Sequence, residues 1–255
     1  AEVSISLDNS DKTFPIEKLI DEYSKKAERE GAHRSILAIS GYSIPKKHMQ
    51  EEDKYKRAIF DKVVVWDDQY IEYLEEVVNA LGKWAKYSVL GDLEITEKFG
   101  GPIKSPFLKI TQGDFDFFVF RISPEELLKI SYIFRRDYSP RAYQRMLNIR
   151  RLKQEISEFL DSDEGSLPTN IIGVFNSEIK IRDYKLIIPR NYKSFWIIDG
   201  QHRLYSFCYT KNDLKRQNFD LLCVGLDGRE WKESDQARLF VEMNMKAKRI
   251  SKLLF

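Results

Sequence analysis

Val3, Ile5 and Leu7 alternate with Glu2, Ser4 and Ser6, the period of a half-buried strand. Pro15 then opens a helical stretch whose apolar positions Ile16, Leu19, Ile20, Tyr23 and Ala27 fall on one stripe, and Gly31 ends it. A strand at 35–40, a helix from 45 to about 59 and a strand at 63–66 follow. A long helix from Asp68 completes the series, with Ile71, Leu74, Val78, Leu81 and Ala85 predicted on its inner face. Strands alternating with helices predict a mainly parallel sheet covered by helices. This small α/β part occupies residues 1–100, and Gly91, Gly100, Gly101 and Pro102 mark its end.

The pattern over residues 101–255 is mixed, as in an α+β domain. Segments 106–111 and 115–122 predict a hairpin around Gln112-Gly113-Asp114. Ser123-Pro124-Glu125-Glu126 has capping-box spacing and starts a helix to about Phe134. Ser139-Pro140 starts another, to Leu160, with Ile149, Leu152, Ile156, Phe159 and Leu160 inward. Strands at 171–175, 184–188 and 195–198 lead into a turn at Asp199. A helix at 202–214, a strand at 220–225 and helices after Ser234 and Ser251 close the domain. The strand Phe195-Trp196-Ile197-Ile198 is almost wholly apolar, which predicts a central place in its sheet.

Composition narrows the classes. The net charge of the 255 residues is +2, so no global basic field exists. No apolar run is long enough to cross a bilayer, and no signal-peptide pattern opens the chain, so a cytoplasmic protein without membrane contact is expected. Cys208 and Cys223 have no metal spacing and read as buried thiols in a reducing compartment. The chain begins without Met and stops inside a helical pattern, which reads as a piece of a longer protein. Between Arg135 and Lys153, Arg135, Arg136, Arg141, Arg145, Arg150, Arg151 and Lys153 face a single acid, Asp137. Such a strip is either a solvated face or a phosphate-facing one, for which Arg141, Arg150 and Lys153 are the candidate DNA contacts.

Chemistry concentrates at Asp199-Gly200-Gln201-His202-Arg203, where an apolar strand runs into a helix. Gly200 allows a tight turn and a close ligand, and the first helical turn offers unpaired amides. Arg203 can grip two phosphate oxygens and His202 can donate one bond. Asp199 can cap the helix or hold a Mg²⁺ that arrives with a nucleotide. The residues alone allow a blander reading equally: Asp199 an N-cap, His202 a satisfied core histidine, Arg203 paired with a surface acid. Arg145 shares the inward face of its helix, so it either reaches a ligand or snorkels to water. Asn244 is a helix C-cap or a nucleotide contact, with Lys248 nearby for phosphate.

The octapeptide Ile197-Ile198-Asp199-Gly200-Gln201-His202-Arg203-Leu204 resembles the signature of the DGQHR family, the DndB-like relatives of ParB and sulfiredoxin. Tyr143-Gln144-Arg145 with Arg150, the segment Pro168-Thr169-Asn170-Ile171-Ile172, and Ala237 to Asn244 followed by Lys246 to Lys248 resemble its flanking elements. The resemblance implies a ParB/sulfiredoxin-like fold for residues 101–255 and a nucleotide-phosphate site. Gly200, Gln201, His202, Arg203, Gln144, Arg145, Asn244 and Lys248 would bind the phosphates. Asp199 and His202 would be the catalytic candidates, and Asp199 the metal ligand. It further implies a Mg²⁺-dependent nucleoside triphosphate, ATP or CTP, and a slow hydrolysis. The setting would be a prokaryotic DNA modification or phage defence system, with DNA, partner proteins or further copies of the chain as partners. Sulfiredoxins carry a reactive cysteine where Gln201 stands, so sulfinic acid reduction is not expected.

Residues 1–100 resemble the end of a restriction-endonuclease-like domain in their strand–helix order and in Val64-Val65-Trp66-Asp67-Asp68. That class needs an acid and Glu-X-Lys to hold its metal, whereas the first strand offers Glu2-Val3-Ser4, so no nuclease activity is expected. Asp67, Asp68, Glu75 and Glu76 read as helix-start and surface acids. The competing function is a DNA-binding transcriptional regulator or scaffold whose phosphate turn is purely structural.

Overall fold

Two compact units divide the chain, Ala1–Ile95 and Thr96–Phe255. The computed structural model describes residues 4–6, 16–39, 58–60, 62–93, 95, 100–113, 115–132 and 148–228. Residues 45–57 of the helix expected to about Ile59, the helices after Ser234 and Ser251, and Arg141, Gln144, Arg145, Asn244 and Lys248 lie outside these residues. The whole is a mixed α/β protein with one small and one large sheet. No helix among the described residues is long and apolar enough to cross a membrane.

The first unit carries a four-stranded sheet in the order β1-β2-β4-β3. β1 (Ser4–Ser6), β2 (Ser35–Ile39) and β4 (Val63–Trp66) are parallel, and β3 (Ala58–Phe60) runs antiparallel to β4. β3 corrects the sequence reading, which continued a helix to about Ile59. Helix α1 (Ile16–Arg29) lays Leu19, Ile20 and Tyr23 on Leu37, Ile39, Val63 and Val65, as its stripe predicts. Gly31, at φ +65°, ends it through the bond from the Ala32 amide to the Ala27 carbonyl. Asp67 caps α2 (Asp68–Leu81) by accepting from the Tyr70 amide at 3.0 Å. A 3₁₀ turn, Gly82–Trp84, then leads into α3 (Ala85–Asp92).

The inner face of α2 keeps Leu81 of the expected stripe, as α3 keeps Ala85, but is otherwise rotated by one residue. Tyr70, Tyr73, Val77, Ala80 and Leu81 are buried, while Ile71 and Val78 are 38% and 50% exposed. Both stripes have helical spacing, and the core took the one with the larger side chains. The Tyr70 hydroxyl also donates to buried Asp92 at 2.9 Å, a bond that the Ile71 stripe cannot make.

The second unit has an eight-stranded sheet, ordered β7-β11-β8-β12-β6-β5-β10-β9. Its strands are β5 (Ile103–Gln112), β6 (Phe115–Ile122), β7 (Ser131–Tyr132), β8 (Ile171–Phe175), β9 (Lys180–Arg182), β10 (Lys185–Ile188), β11 (Phe195–Asp199) and β12 (Leu221–Asp227). β5 and β6 form the predicted hairpin, closed between Gln112 and Phe115, with Gly113 at φ +57°. Pro106, which has no N–H for a ladder, stands where β5 leaves β10 and joins β6. Helix α4 (Pro124–Ile130) starts on Ser123, whose hydroxyl accepts from the Glu126 amide. It stops at Ile130 rather than Phe134, because Ser131 and Tyr132 pair in parallel with β11.

The helix ending near Leu160 has a π segment, Arg151–Ile156, before α5 (Ser157–Asp161), with Leu152 and Leu160 fully buried. The single helix expected at 202–214 is two, α6 (Gln201–Ser206) and α7 (Asp213–Asn218). Arg216 explains the break. Its buried guanidinium donates to the carbonyls of Phe207 and Thr210 at 3.2 and 2.8 Å and to the Thr210 hydroxyl at 3.0 Å. It also pairs with Asp213. The turn between the helices is closed by a side chain from the second of them.

Phe118, Phe120, Phe175 and Phe195 form the centre of the core, with ring centroids 5.1 to 6.3 Å apart. Gly173 and Gly225, paired across β8 and β12, make room for the rings of Phe195 and Phe175. β11 is one strand in from the sheet edge, beside two-residue β7, so its apolar run does not make it central. Phe195, Ile197 and Ile198 are buried all the same, because both sides of the strand are packed.

Candidate functional site

The turn begins with an irregularity. β11 pairs with β8 as Phe195–Phe175, Trp196–Val174 and Ile197–Gly173, then skips to Asp199–Ile172. Ile198 is the extra residue of this bulge and is fully buried, whereas Asp199 comes out half exposed. Gly200 follows in the left-handed region, at φ +96° and ψ 11°. A Cβ there would lie 3.0 Å from Ile171 Cγ1 and 3.1 and 3.2 Å from Nη2 and Nε of Arg203. Glycine thus serves the backbone twist and also clears the path of the Arg203 side chain. The guanidinium folds back across the turn, and Nη2 donates to Asp199 Oδ2 at 2.7 Å. Its Nε is buried and meets no acceptor among the described residues.

His202 points the other way. Its Nε2 accepts from the Asn148 amide at 3.1 Å, while Asn148 Oδ1 accepts from the Arg151 amide. The imidazole therefore satisfies an orphan donor at the start of the neighbouring helix, and Nε2 must be unprotonated. Burial pushes the His202 imidazole below its ordinary value, Arg151 adds to this, and Asp199 opposes it. The sign follows. In acid the unfolded histidine binds its proton first, so the stability that neutral His202 contributes is complete above pH ~6.5 and fades as the pH falls towards its lowered folded value. Thermal melts from neutral to mildly acidic pH should show this loss. His202→Gln, which keeps an acceptor without the titration, should flatten it. Equal acid dependence in the two proteins would remove His202 from the account.

Gln201 is buried in the first turn of α6. Arg150 and Lys153 are exposed, as a DNA contact requires, but each has a local partner. Arg150 Nε donates to Gln154 at 3.2 Å, and Lys153 lies 5.0 Å from the Tyr209 ring centroid. Arg151 stands 3.8 Å from Glu155, the surface pair its spacing suggests. Burial pushes the half-buried Cys208 thiol up to about 12 and raises Cys223 as well, so neither supplies a thiolate at neutral pH.

No family model matches the chain, and no curated protein or solved structure does. What the site can do rests on its own geometry.

Two sequence arguments need revision. α6 has only six residues, too few for a substantial dipole, so Arg203 and not the helix end carries the positive charge. Asp199 is not a side-chain cap of α6, since its carboxylate is taken by Arg203. Among the described residues no group of three His, Cys, Asp or Glu side chains gathers to hold a resident metal. A Mg²⁺ arriving with phosphates would have one carboxylate at the turn, the half-exposed Asp199, which is paired with Arg203. Asn148 and Arg216 were missed by the sequence reading. Asn148 carried a weak signal as a capping residue before Ile149, but nothing in Asp213-Leu-Lys-Arg216 distinguishes the buried arginine from an exposed one.

Proposed function

We propose that the second unit is a nucleotide-binding module of the DGQHR, ParB/sulfiredoxin-like kind, which binds the phosphates of a nucleoside triphosphate at the Asp199–Arg203 turn. The observation that carries this is the guanidinium of Arg203. It is held over a left-handed glycine and bonded to a half-exposed carboxylate, with a buried Nε that has no acceptor among the described residues. A phosphate meeting that fork would replace one anionic partner with a better-fitting one. The released Asp199 would then be available to the accompanying Mg²⁺, and ATP or CTP is the nucleotide class proposed. Hydrolysis would be slow, because the lone pair of His202 Nε2 is engaged by Asn148. The proposed setting is a DNA modification or defence system in a prokaryotic cytoplasm.

Calorimetric titration of ATP, CTP and GTP with Mg²⁺ tests the reading. One of them should bind the protein, and Arg203→Ala should reduce its affinity by at least tenfold, as expected for a lost charge-assisted bidentate contact of roughly 1.5–3 kcal/mol. Absence of binding to the intact protein would dismiss the nucleotide.

The second reading, a DNA-binding regulator or scaffold, is favoured by the same bonds seen differently. Arg203 closes on Asp199 and His202 on Asn148, so the turn also works as a structural clasp. In that case Arg203→Ala lowers stability and leaves DNA binding unaltered.

A further inference from the structure

At its β6-β5-β10-β9 end the large sheet has an exposed face, and strand parity decides what stands on it. Lys185 is paired with both Arg182 and Pro106, and Ile187 with both Lys180 and Lys104. Lys104, Lys180, Arg182 and Lys185 therefore share one face and are all exposed, while Ser105, Leu186 and Ile188 turn to the core. Neighbouring strands lie about 5 Å apart, so the four cations form one cluster. Along β5 and β6 the same face continues through Leu108 and Ile110 to Phe115, which is 48% exposed. No Asp or Glu occupies a strand position of β5, β6, β9 or β10 on this face. Among the described residues the acids at its border include Glu178, 3.7 Å from Lys180, Asp183, and Asp220, which holds Arg121 at 2.7 Å.

Tyr184 supplies the second observation. It forms the β9–β10 turn with Asp183, at φ +57° and +50°, a conformation that suits Asn-Gly and strains a tyrosine. The ring is 95% exposed, so no packing among the described residues offsets that strain. An aromatic side chain held this way beside four cations suits a partner with both negative charge and flat apolar faces.

We propose that this face binds single-stranded nucleic acid, with Lys104, Lys180, Arg182 and Lys185 on phosphates and with Tyr184 and Phe115 stacked on bases. Unpaired bases are required, because the rings of a duplex are closed to stacking from the side. The face gives the DNA association proposed above a surface of its own, away from the Asp199 turn, and it stands whether or not a nucleotide binds there.

Fluorescence anisotropy with a labelled oligothymidylate and the full 255-residue chain tests it. The parent should bind, more weakly as salt rises. Reversing two charges, Arg182→Glu with Lys185→Glu, should weaken binding at least tenfold and flatten the salt slope by about 1.4, two phosphates at ~0.7 each. Tyr184→Ala should weaken binding by about tenfold with the slope unchanged. These positions are exposed, so the variants are expected to fold, and circular dichroism verifies that. Arg203→Ala should bind the oligonucleotide as the parent does, which separates failure here from failure of the nucleotide site. The proposal is overturned if the parent ignores the oligonucleotide, if the double variant binds it undiminished, or if the parent binds only phosphatidylserine vesicles.

Discussion

Gly173→Ala should destabilise the second unit by about 3 kcal/mol, the upper part of the usual range for overfilling a packed core. The added Cβ would lie 2.4 Å from the carbonyl oxygen of Trp196 and 2.5 Å from the ring of Phe195. The ring is held on its other sides by Phe120 and Phe175. The carbonyl belongs to the partner strand, so relief requires β11 to move away from β8. That strand delivers Asp199 to the turn, and the bulge at Ile198 begins beside the Ile197–Gly173 pair. The substitution should consequently lower stability and, with it, the proposed nucleotide binding at the turn. Urea unfolding followed by circular dichroism and fluorescence measures the first effect, and a variant with the parent's midpoint would show that the strands separate at little cost.

Arg216→Ala should cost a similar amount, about 3 kcal/mol, by a different route. The side chain is buried and donates three hydrogen bonds to Phe207 and Thr210. Its removal leaves these acceptors facing a space the guanidinium used to fill, and unpaired buried acceptors cost roughly 1–3 kcal/mol each before relaxation. Loss of the ion pair adds little, because Asp213 is largely exposed. Arg216→Lys separates charge from reach: all three bonds come from Nη1, and a lysine ammonium ends one atom short of that position, so it should recover only part of the loss. If lysine restores full stability, charge alone holds the turn. A change in unfolding free energy of less than a few tenths of a kcal/mol for the alanine variant would refute this role of Arg216.

Several elements were legible because their causes are local. Ser123 and Pro124 start a helix, Gly31 ends one, and Gly113 closes a hairpin, each through bonds between residues a few positions apart. The strand leading into a glycine turn at Asp199 belongs to the same group. The candidate site was legible as a list of residues but not as an arrangement. Asp199, Gly200 and Arg203 were identified together, yet nothing in their spacing chose between an arginine aimed at solvent and one folded onto Asp199. His202 was read as a phosphate donor, and its lone pair went to Asn148, 54 positions away in the chain.

The amino-acid order by itself determined where most helices and strands occur, how several end, and which five residues form the turn. Tertiary structure alone decided that Tyr70, Tyr73 and Val77 are buried on α2 in place of Ile71 and Val78, since both sets fit the period and only Tyr70 reaches Asp92. It likewise placed apolar β11 beside the sheet edge, where packing on both faces and not the number of neighbouring strands demands apolar side chains. It also broke the helix after α6, through a guanidinium arriving from α7, and gathered Lys104 with Lys180, Arg182 and Lys185. Caps, turns and periods act over a few residues, so one segment carries them. Register, burial and charge clustering need two segments at once, and they exist only when the chain has brought them together.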